Sequence, residues 1–368
     1  MEYSGYLSNH LLHGVVALFD LGASEEKIED FVESYSTKLE EVEFNHEDVT
    51  QPGARAKLLQ GSKLTLEGSW ALLGQRDNFD GLLALYAVEV EELGIDGAVK
   101  KHLPGLVGGL AGALLHSIIQ LGMPITLVAG VSWQKDWRTC TTRIFRSTSR
   151  RNSTGHEVLL GEMRRKLQSK PLIDLEIGGI QKRLSTMSGD AERGSSVAFK
   201  LIWGMIDSYD LSKMDGVFAI DLALWLYMMI EHNDFVILHA VTSAWALQQV
   251  ERLLEPKDRE RSWKVWLHVS LSAFVTNEVK DVRTSDVCNR RLEDQLPSIN
   301  PWNRIVARTL SLADGGLLEG DLVHTYKLVQ VAHNHAENSE TAFLTAEERD
   351  FITRESALKA ISLEFGPL

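Results

Sequence analysis

The stretch HLPGLVGGLAGALLHSIIQLG, residues 102–122, decides whether this chain is a membrane protein or a helical globular protein. It belongs to a segment that runs from residue 102 to residue 134 without any Asp, Glu, Lys or Arg, which is long enough to span a bilayer. However, Pro104, repeated glycines and the polar side chains of His116 and Gln120 interrupt the apolar pattern. We therefore predict a buried core helix that ends near Gly122, in a soluble protein without a membrane span.

The composition of the whole chain is that of a folded, soluble protein. Of its 368 residues, 44% are hydrophobic and 24% are charged, so the chain can bury a sizeable core. The formal net charge of −13 argues against nucleic acid as a partner, because nucleic-acid binders need basic surface against phosphates. Two cysteines exclude a disulfide framework, and the first residues lack the pattern of a signal peptide. These features predict a cytoplasmic protein.

Hydrophobic residues recur at helical spacing along most of the chain. The clearest case covers residues 28–39, with Ser24 placed to cap its start and Gly22 placed to end a preceding helix at 7–19. Two-residue alternation bounded by turn signals is not found, which argues against an extended sheet. The fold class predicted is all-α, a multi-helix bundle-like domain. Further helices are predicted at 79–90, 105–121, 214–230, 235–254, 263–275, 305–312, 321–332 and from 346 onward.

A segment rich in Arg and Ser, residues 138–155, interrupts this helical pattern. We interpret it as a solvated surface loop rather than as a phosphate-binding loop. The chain is predicted to form a single helical domain over residues 1–368. Two lobes, about 1–137 and 156–368, joined by this loop fit the pattern equally well.

Signatures of nucleotide cofactors and of nucleophilic catalysis are not found. The glycines of residues 105–112 have the spacing G-x-x-G-G-x-x-G instead of the dinucleotide-binding G-x-G-x-x-G, and no strand precedes them. Neither a G-x-x-x-x-G-K-[ST] motif nor a G-x-S-x-G motif occurs. Tightly bound NAD(P), FAD or ATP in a standard fold is therefore disfavoured.

Several of the 12 histidines fall inside apolar helices, where an imidazole needs a partner. Four helices carry them: one with His10 and His13, one with His116, one with His239, and one with His324 and Lys327. Each alone suits a structural histidine bonded to a carbonyl, but helix bundles also build metal sites from facing helices. A histidine-dominated site suits Fe, Cu, Zn or Ni rather than Mg or Ca. Glu89 could face inward, but a solvated helix face is the interpretation that we favour.

Four motifs, in order, resemble the questin oxidase-like family, enzymes of aromatic polyketide pathways. The first, SNHLLHGVVALFDLGAS, looks like the opening motif of the family. The resemblance covers about 1–125 and 215–335. The other motifs are SWALLGQRDNFDGLLALYAVEVEELG with HLPGLVGGLAGALLHSIIQLG, then FVILHAVTSAWAL, and GDLVHTYKLV.

This resemblance implies an oxygenase that opens a ring of an anthraquinone-type substrate with O₂ at a mononuclear non-haem Fe(II). Lys327 and His324 are the catalytic residues that it implies, with Lys327 carboxylated. His13 and His335 stay open as substitutes for one of these ligands. The metal ligands implied are His10, His116, His239, His324 and Lys327.

For the small aromatic substrate we predict a pocket between helices, with Trp225, Tyr227 and Trp245 as its walls. One alternative is a Baeyer–Villiger outcome, in which a reductant such as NADPH acts on the substrate or binds loosely. The other is a non-catalytic ligand carrier or scaffold whose buried histidines are structural.

Overall fold

The computed structural model of the chain describes residues 2–3, 7–37, 39, 79–125, 197–208, 211, 214–230, 232–275, 301–312, 321–337, 344 and 346–362. Within these residues, the only strands form a short antiparallel ribbon of β1 (Glu2–Tyr3) and β2 (Leu7–Ser8). The rest of the regular structure is helical, so the all-α prediction is confirmed. The Arg- and Ser-rich segment 138–155 lies outside the described residues, and the division into lobes stays a prediction.

Eleven α-helices make up the described part of the chain, and they begin and end as follows. They are α1 (Leu11–Asp20), α2 (Glu25–Ser36), α3 (Phe79–Leu106), α4 (His116–Ile125), α5 (Val197–Asp207), α6 (Gly216–Met228), α7 (Phe235–Glu251), α8 (Pro256–Val275), α9 (Pro301–Leu310), α10 (Asp321–Glu337) and α11 (Ala346–Ser362).

The turn between α1 and α2 follows the sequence signals. Gly22 has a φ of 74°, which a residue with a side chain rarely adopts, and it ends the first helix. The Ser24 hydroxyl then accepts a hydrogen bond from the Lys27 amide at 3.3 Å, so the predicted N-cap of α2 is confirmed. The predicted start of α1 at residue 7 is wrong, because Leu7 and Ser8 pair with β1 and the helix begins at Leu11.

Helix α7 lies at the centre of the fold. It packs against α4, α6, α8 and α10, and every residue from Val236 to Leu247 is buried. A helix that is apolar all round belongs in the interior, because no face of it suits water. At its crossing with α4, a Cβ atom on Gly122 would lie 2.4 Å from both the Cα and the O of Ala246. The backbones of α4 and α7 are therefore in direct contact at this point.

The predicted single helix over residues 105–121 is wrong. Helix α3, which breaks at Gly94, ends at Leu106, and two 3₁₀ turns follow at Val107–Gly109 and Gly112–Leu115. Glycine is a poor helix former, and four glycines within eight residues weaken any continuous helix here. Helix α4 begins only at His116 and continues past Gly122 to Ile125. Among the described helices, none is both long enough and apolar enough to cross a membrane.

Candidate metal centre

Four histidines, three in helices and one at the N-terminal end of a helix, converge on one point. One ring nitrogen from each lies within 4.8 Å of the corresponding nitrogen of every other. Each of these side chains is buried, with at most 5% of its surface exposed. Imidazole nitrogens lie about 2.1 Å from a bound zinc, so nitrogens that share such a metal are roughly 3–4 Å apart. The cluster has nearly these dimensions. Its members are His10, His116, His239 and His324.

The chain places His10 and His116 through local contacts. His10 is the residue before α1, and its neighbour Asn9 accepts a hydrogen bond from the Leu11 amide at 2.8 Å. Gln120 of α4 donates to the Asn9 carbonyl at 3.4 Å, which ties the start of α1 to α4. The Nε2 atoms of His10 and His116 are 2.6 Å apart.

His116 follows a left-handed turn. Ala113, Leu114 and Leu115 have φ values of 45°, 58° and 63°, a conformation that is unfavourable for residues with a side chain. This turn aims the Ala113 carbonyl at Nδ1 of His116, which donates a hydrogen bond to it. Strained backbone of this kind is found where the surrounding structure requires a fixed direction, and here it fixes the direction of an imidazole in the cluster.

Two of the imidazoles have their tautomers set by backbone carbonyls. Nδ1 of His239 is 2.6 Å from the Phe235 carbonyl, as Nδ1 of His116 is bonded to that of Ala113. A carbonyl oxygen can only accept, so both Nδ1 atoms carry the proton. Burial lowers the pKa of His116 to about 3 and the pKa of His239 well below its usual value, which keeps both rings neutral. Both Nε2 atoms therefore present lone pairs.

These lone pairs meet. Nε2 of His239 is 3.3 Å from Nε2 of His116, and neither atom has a proton to share. Two facing lone pairs repel each other, and a cation between them removes that repulsion. Hydrogen bonds from the other ring nitrogen to carbonyls are also the usual support of metal-binding histidines. The donor set therefore fits a metal ion that prefers imidazole.

Lys327 lies one helical turn after His324 on α10 and is fully buried. Its Nζ has no hydrogen-bond partner among the described residues. Burial lowers the pKa of Lys327 to about 7, so a large part of the amine is neutral at neutral pH. After burial itself, the charge of Lys327 is the strongest influence that lowers the pKa of His10 and of His116. The amine therefore belongs to the surroundings of the four histidines.

Three further side chains adjoin the cluster, and the sequence did not single out two of them. The Phe235 ring lies 4.6 Å from the rings of both His239 and His324, measured between centroids. The Tyr35 hydroxyl lies 3.4 Å from Nδ1 of His10. His13 is buried, its ring is 5.4 Å from that of His10, and it is not one of the four. Phe235 lies one helical turn before His239 in the sequence, and this spacing could have predicted their contact. Nothing in the sequence around Tyr35 indicates its contact with His10.

The three aromatic residues predicted as pocket walls lie on α6 and α7 and have other neighbours than the four histidines. Trp225 is half-buried, and Trp245 is buried in the main core. The Tyr227 hydroxyl donates to the Asn233 side chain at 2.6 Å, and Lys359 lies 4.2 Å above its ring. Within the described residues, no ring contact joins these three side chains to the four histidines. Their role as pocket walls stays a prediction.

Two other candidates are bonded to partners outside the cluster. Nε2 of His335 is 2.6 Å from a carboxylate oxygen of Asp221, which Arg349 also binds. Glu89, expected on a solvated face, is instead buried and accepts hydrogen bonds from Lys101 and His102. That expectation was wrong, because α3 breaks at Gly94 and brings residues 12 and 13 positions apart into contact.

Fold and site together define an all-α protein with a candidate polyhistidine metal centre between facing helices. The sequence model of the family described as questin oxidase-like matches residues 7–127 and 203–332. This match covers more than half of the chain, and the chain belongs to the questin oxidase-like family. All four histidines and Lys327 lie within the matched residues. A search of curated proteins found no match.

The resemblance inferred from the four sequence motifs is thus confirmed. Membership of the family indicates an oxygenase that acts on anthraquinone-type substrates. The unmatched residues 128–202 include the Arg- and Ser-rich segment.

Proposed function

We propose that this protein is a mononuclear non-haem iron oxygenase that uses O₂ to cleave a ring C–C bond of an anthraquinone-type aromatic polyketide. The observation that carries the proposal is the facing pair of unprotonated Nε2 atoms on His116 and His239, 3.3 Å apart inside a cluster of four buried histidines. Family membership supports the substrate class and an oxygenase activity, whereas the iron and the cleavage of a ring C–C bond are part of the proposal.

Five residues are proposed to hold the iron: His10, His116, His239 and His324 through imidazole, and Lys327 through a carbamate. Four neutral imidazoles bring no negative charge, and a carbamate supplies one. The neutral amine of Lys327 can attack CO₂, which forms an N–C bond and releases one proton. A buried amine that has no hydrogen-bond partner among the described residues, and whose pKa lies near 7, is suited to this modification.

When bound, the iron supplies the activation of O₂ that ring cleavage requires. The protein's own residues orient the imidazole ligands and exclude water from the site. The carbonyls of Ala113 and Phe235 hold two imidazoles in the tautomer that binds a metal. Phe235 covers His239 and His324 with an apolar ring, which keeps this side of the site dry and suits a planar aromatic substrate.

The carrier or scaffold alternative explains the cluster less well. Structural histidines in a core pair their nitrogens with donors and acceptors of the protein. Here the Nε2 atoms of two neutral histidines face each other without a proton between them. A proton on Nε2 of His10 could satisfy Nε2 of His116, but among the described residues it would leave Nε2 of His239 without a donor, whereas a metal ion satisfies both.

The test is metal analysis of protein produced with added iron and purified without chelator. We expect about one iron per chain, and we expect it to be lost in His239→Ala. His102→Gln is the matched control, since His102 is also buried but is bonded to Glu89. Iron-loaded protein is then supplied with a hydroxylated anthraquinone and ¹⁸O₂. Mass spectrometry measures the ring-opened product and the ¹⁸O that it contains. Retention of iron in His239→Ala, or no metal in the wild type, would sink the proposal.

A further inference from the structure

His10 differs from two other members of the cluster in the group that meets its second ring nitrogen. Nδ1 of His116 and Nδ1 of His239 each face a backbone carbonyl. Nδ1 of His10 faces the hydroxyl of Tyr35, a side chain of α2, at 3.4 Å. The same hydroxyl oxygen accepts a hydrogen bond from the backbone amide of His10 at 3.0 Å. Tyr35 is buried, with 4% of its surface exposed.

A hydroxyl and a carbonyl constrain an imidazole differently. A carbonyl only accepts, so it permits one neutral tautomer, with the proton on Nδ1. A hydroxyl either donates or accepts, so it permits both tautomers of His10. With the proton on Nδ1, Nε2 is free to bind a metal. With the proton on Nε2, that atom can donate to Nε2 of His116, only 2.6 Å away, which carries a lone pair.

We propose that Tyr35 is a positioning residue whose hydroxyl sets the tautomer of His10 and makes His10 an exchangeable ligand of the metal centre. The inference rests on the proposed iron site. When metal binds, the proton on Nε2 of His10 is released to water and a proton from water is taken up on Nδ1, so the proton count of the ring is unchanged. The Tyr35 hydroxyl turns at the same time from donor to acceptor. His116 and His239 need no such change.

The surrounding packing holds the Tyr35 hydroxyl in place. One turn earlier on α2, Phe31 packs so closely on α1 that a Cβ on Gly14 would lie 2.1 Å from its ring. Gly14 is in turn one helical turn after His10. Lys27, at the start of α2, donates to the Leu312 carbonyl at 2.7 Å and anchors the other end of the helix. Because α1 and α2 are in direct contact, the hydroxyl can rotate but the ring cannot withdraw.

The experiment compares Tyr35→Phe with Tyr326→Phe. Both substitutions remove one buried phenolic hydroxyl from the same small apolar cluster, but that of Tyr326 donates to the Leu312 carbonyl instead of meeting a histidine. Fe(II) affinity and the rate of iron release to a chelator are measured for both variants and for the wild type. We expect roughly a 10- to 100-fold loss of affinity and faster release in Tyr35→Phe, as for other outer partners of metal ligands. Tyr326→Phe is expected to behave as the wild type.

A second measurement keeps the test sharp even if Tyr35→Phe folds poorly. In wild-type protein with ¹⁵N-labelled histidine, NMR reports the tautomer of each ring with and without Zn(II), a diamagnetic probe. We expect His10 to change tautomer on zinc binding, while His116 and His239 keep the proton on Nδ1 throughout.

Equal affinity and release in the two variants, or a single His10 tautomer in both states, would overturn the role of Tyr35 while leaving the iron site intact. If wild-type protein binds no metal at all, the proposed function and this inference fall together. Zinc binding without oxygenase activity would remove the proposed reaction alone.

Discussion

The metal centre has two halves that are built differently. The carbonyl-locked half, α4 and α7, holds His116 and His239 through main-chain carbonyls and a direct backbone contact at Gly122 and Ala246. In the side-chain-held half, α1, α2 and α10, His10 meets the side chain of Tyr35, and α1 and α10 are joined through side chains. Asp20 of α1, for example, accepts hydrogen bonds from Gln330 and Asn334 of α10. Main-chain contacts fix geometry, and side-chain contacts can rearrange, so we expect ligand exchange in the second half.

The largest expected effect comes from the contact that defines the carbonyl-locked half. Gly122→Ala places a methyl group 2.4 Å from backbone atoms of Ala246, which cannot move aside as a side chain can. We expect a loss of about 3 kcal/mol in the free energy of unfolding, together with loss of bound metal. Chemical denaturation and metal analysis measure both.

Gly204 in α5 is the matched control, since a Cβ there meets no atom within 4 Å. Gly204→Ala should stabilise the protein by about 0.5–1 kcal/mol, because alanine favours a helix over glycine. If the two substitutions had similar effects, the backbone contact would not be the feature that matters.

The second prediction compares two lysines with lowered pKa values. Burial lowers the pKa of Lys327 and of Lys359 to about 7, but only Lys327 lies beside the four histidines. Lys327→Met should reduce Fe(II) affinity roughly 100-fold or more, at or beyond the upper end of what outer partners contribute. Lys359→Met should leave iron affinity unchanged. Titration of both variants with Fe(II) measures the two affinities. Equal affinities would remove Lys327 from the proposed ligands.

The third prediction concerns pH and Lys359. Its amine binds the carbonyls of Tyr227 and Ile230, but burial still holds its pKa near 7 in the folded chain, against 10.5 ordinarily. Between these values the unfolded chain binds more protons than the folded chain, so stability rises with pH. The slope from one such group is at most about 1.4 kcal/mol per pH unit. Below pH 7 the group adds no slope.

Denaturation of metal-loaded protein from pH 6 to pH 10 tests this prediction. Lys359→Met should flatten the rise above pH 7 and leave the curve below pH 7 parallel to that of the wild type. Parallel curves over the whole range would show that the amine keeps an ordinary pKa in the folded chain.

The smallest expected effect concerns the left-handed turn before His116. Ala113 is exposed and has a φ of 45°, so replacing it with glycine removes strain without removing a buried group. We expect Ala113→Gly to stabilise the protein by about 1 kcal/mol. Ala307→Gly, at an exposed position inside α9, should instead cost about 0.5–1 kcal/mol. Thermal denaturation of the pair gives opposite signs if the turn is left-handed in solution.

The sequence predicts the fold class and the family well, because both depend on patterns that are visible in a single sequence. Periodicity reveals helices such as α2, and buried histidines stand out within apolar stretches such as that around His239. The turn at Ala113–Leu115 could not be foreseen, since three left-handed residues with side chains contradict local preference and depend on tertiary packing. Tyr35 was equally hidden, because it looks like an ordinary core residue of α2 until α2 packs on α1.

The contact between Gly122 and Ala246 also has a consequence for how this protein can change over generations. The separation of the helices that carry His116 and His239 is set by touching main chains, so it does not depend on the size of the surrounding apolar side chains. Substitutions in those side chains can reshape a cavity for a different aromatic molecule while that separation stays constant. Many substitutions can therefore change the substrate range without moving this pair of imidazoles, provided that residues 122 and 246 stay small.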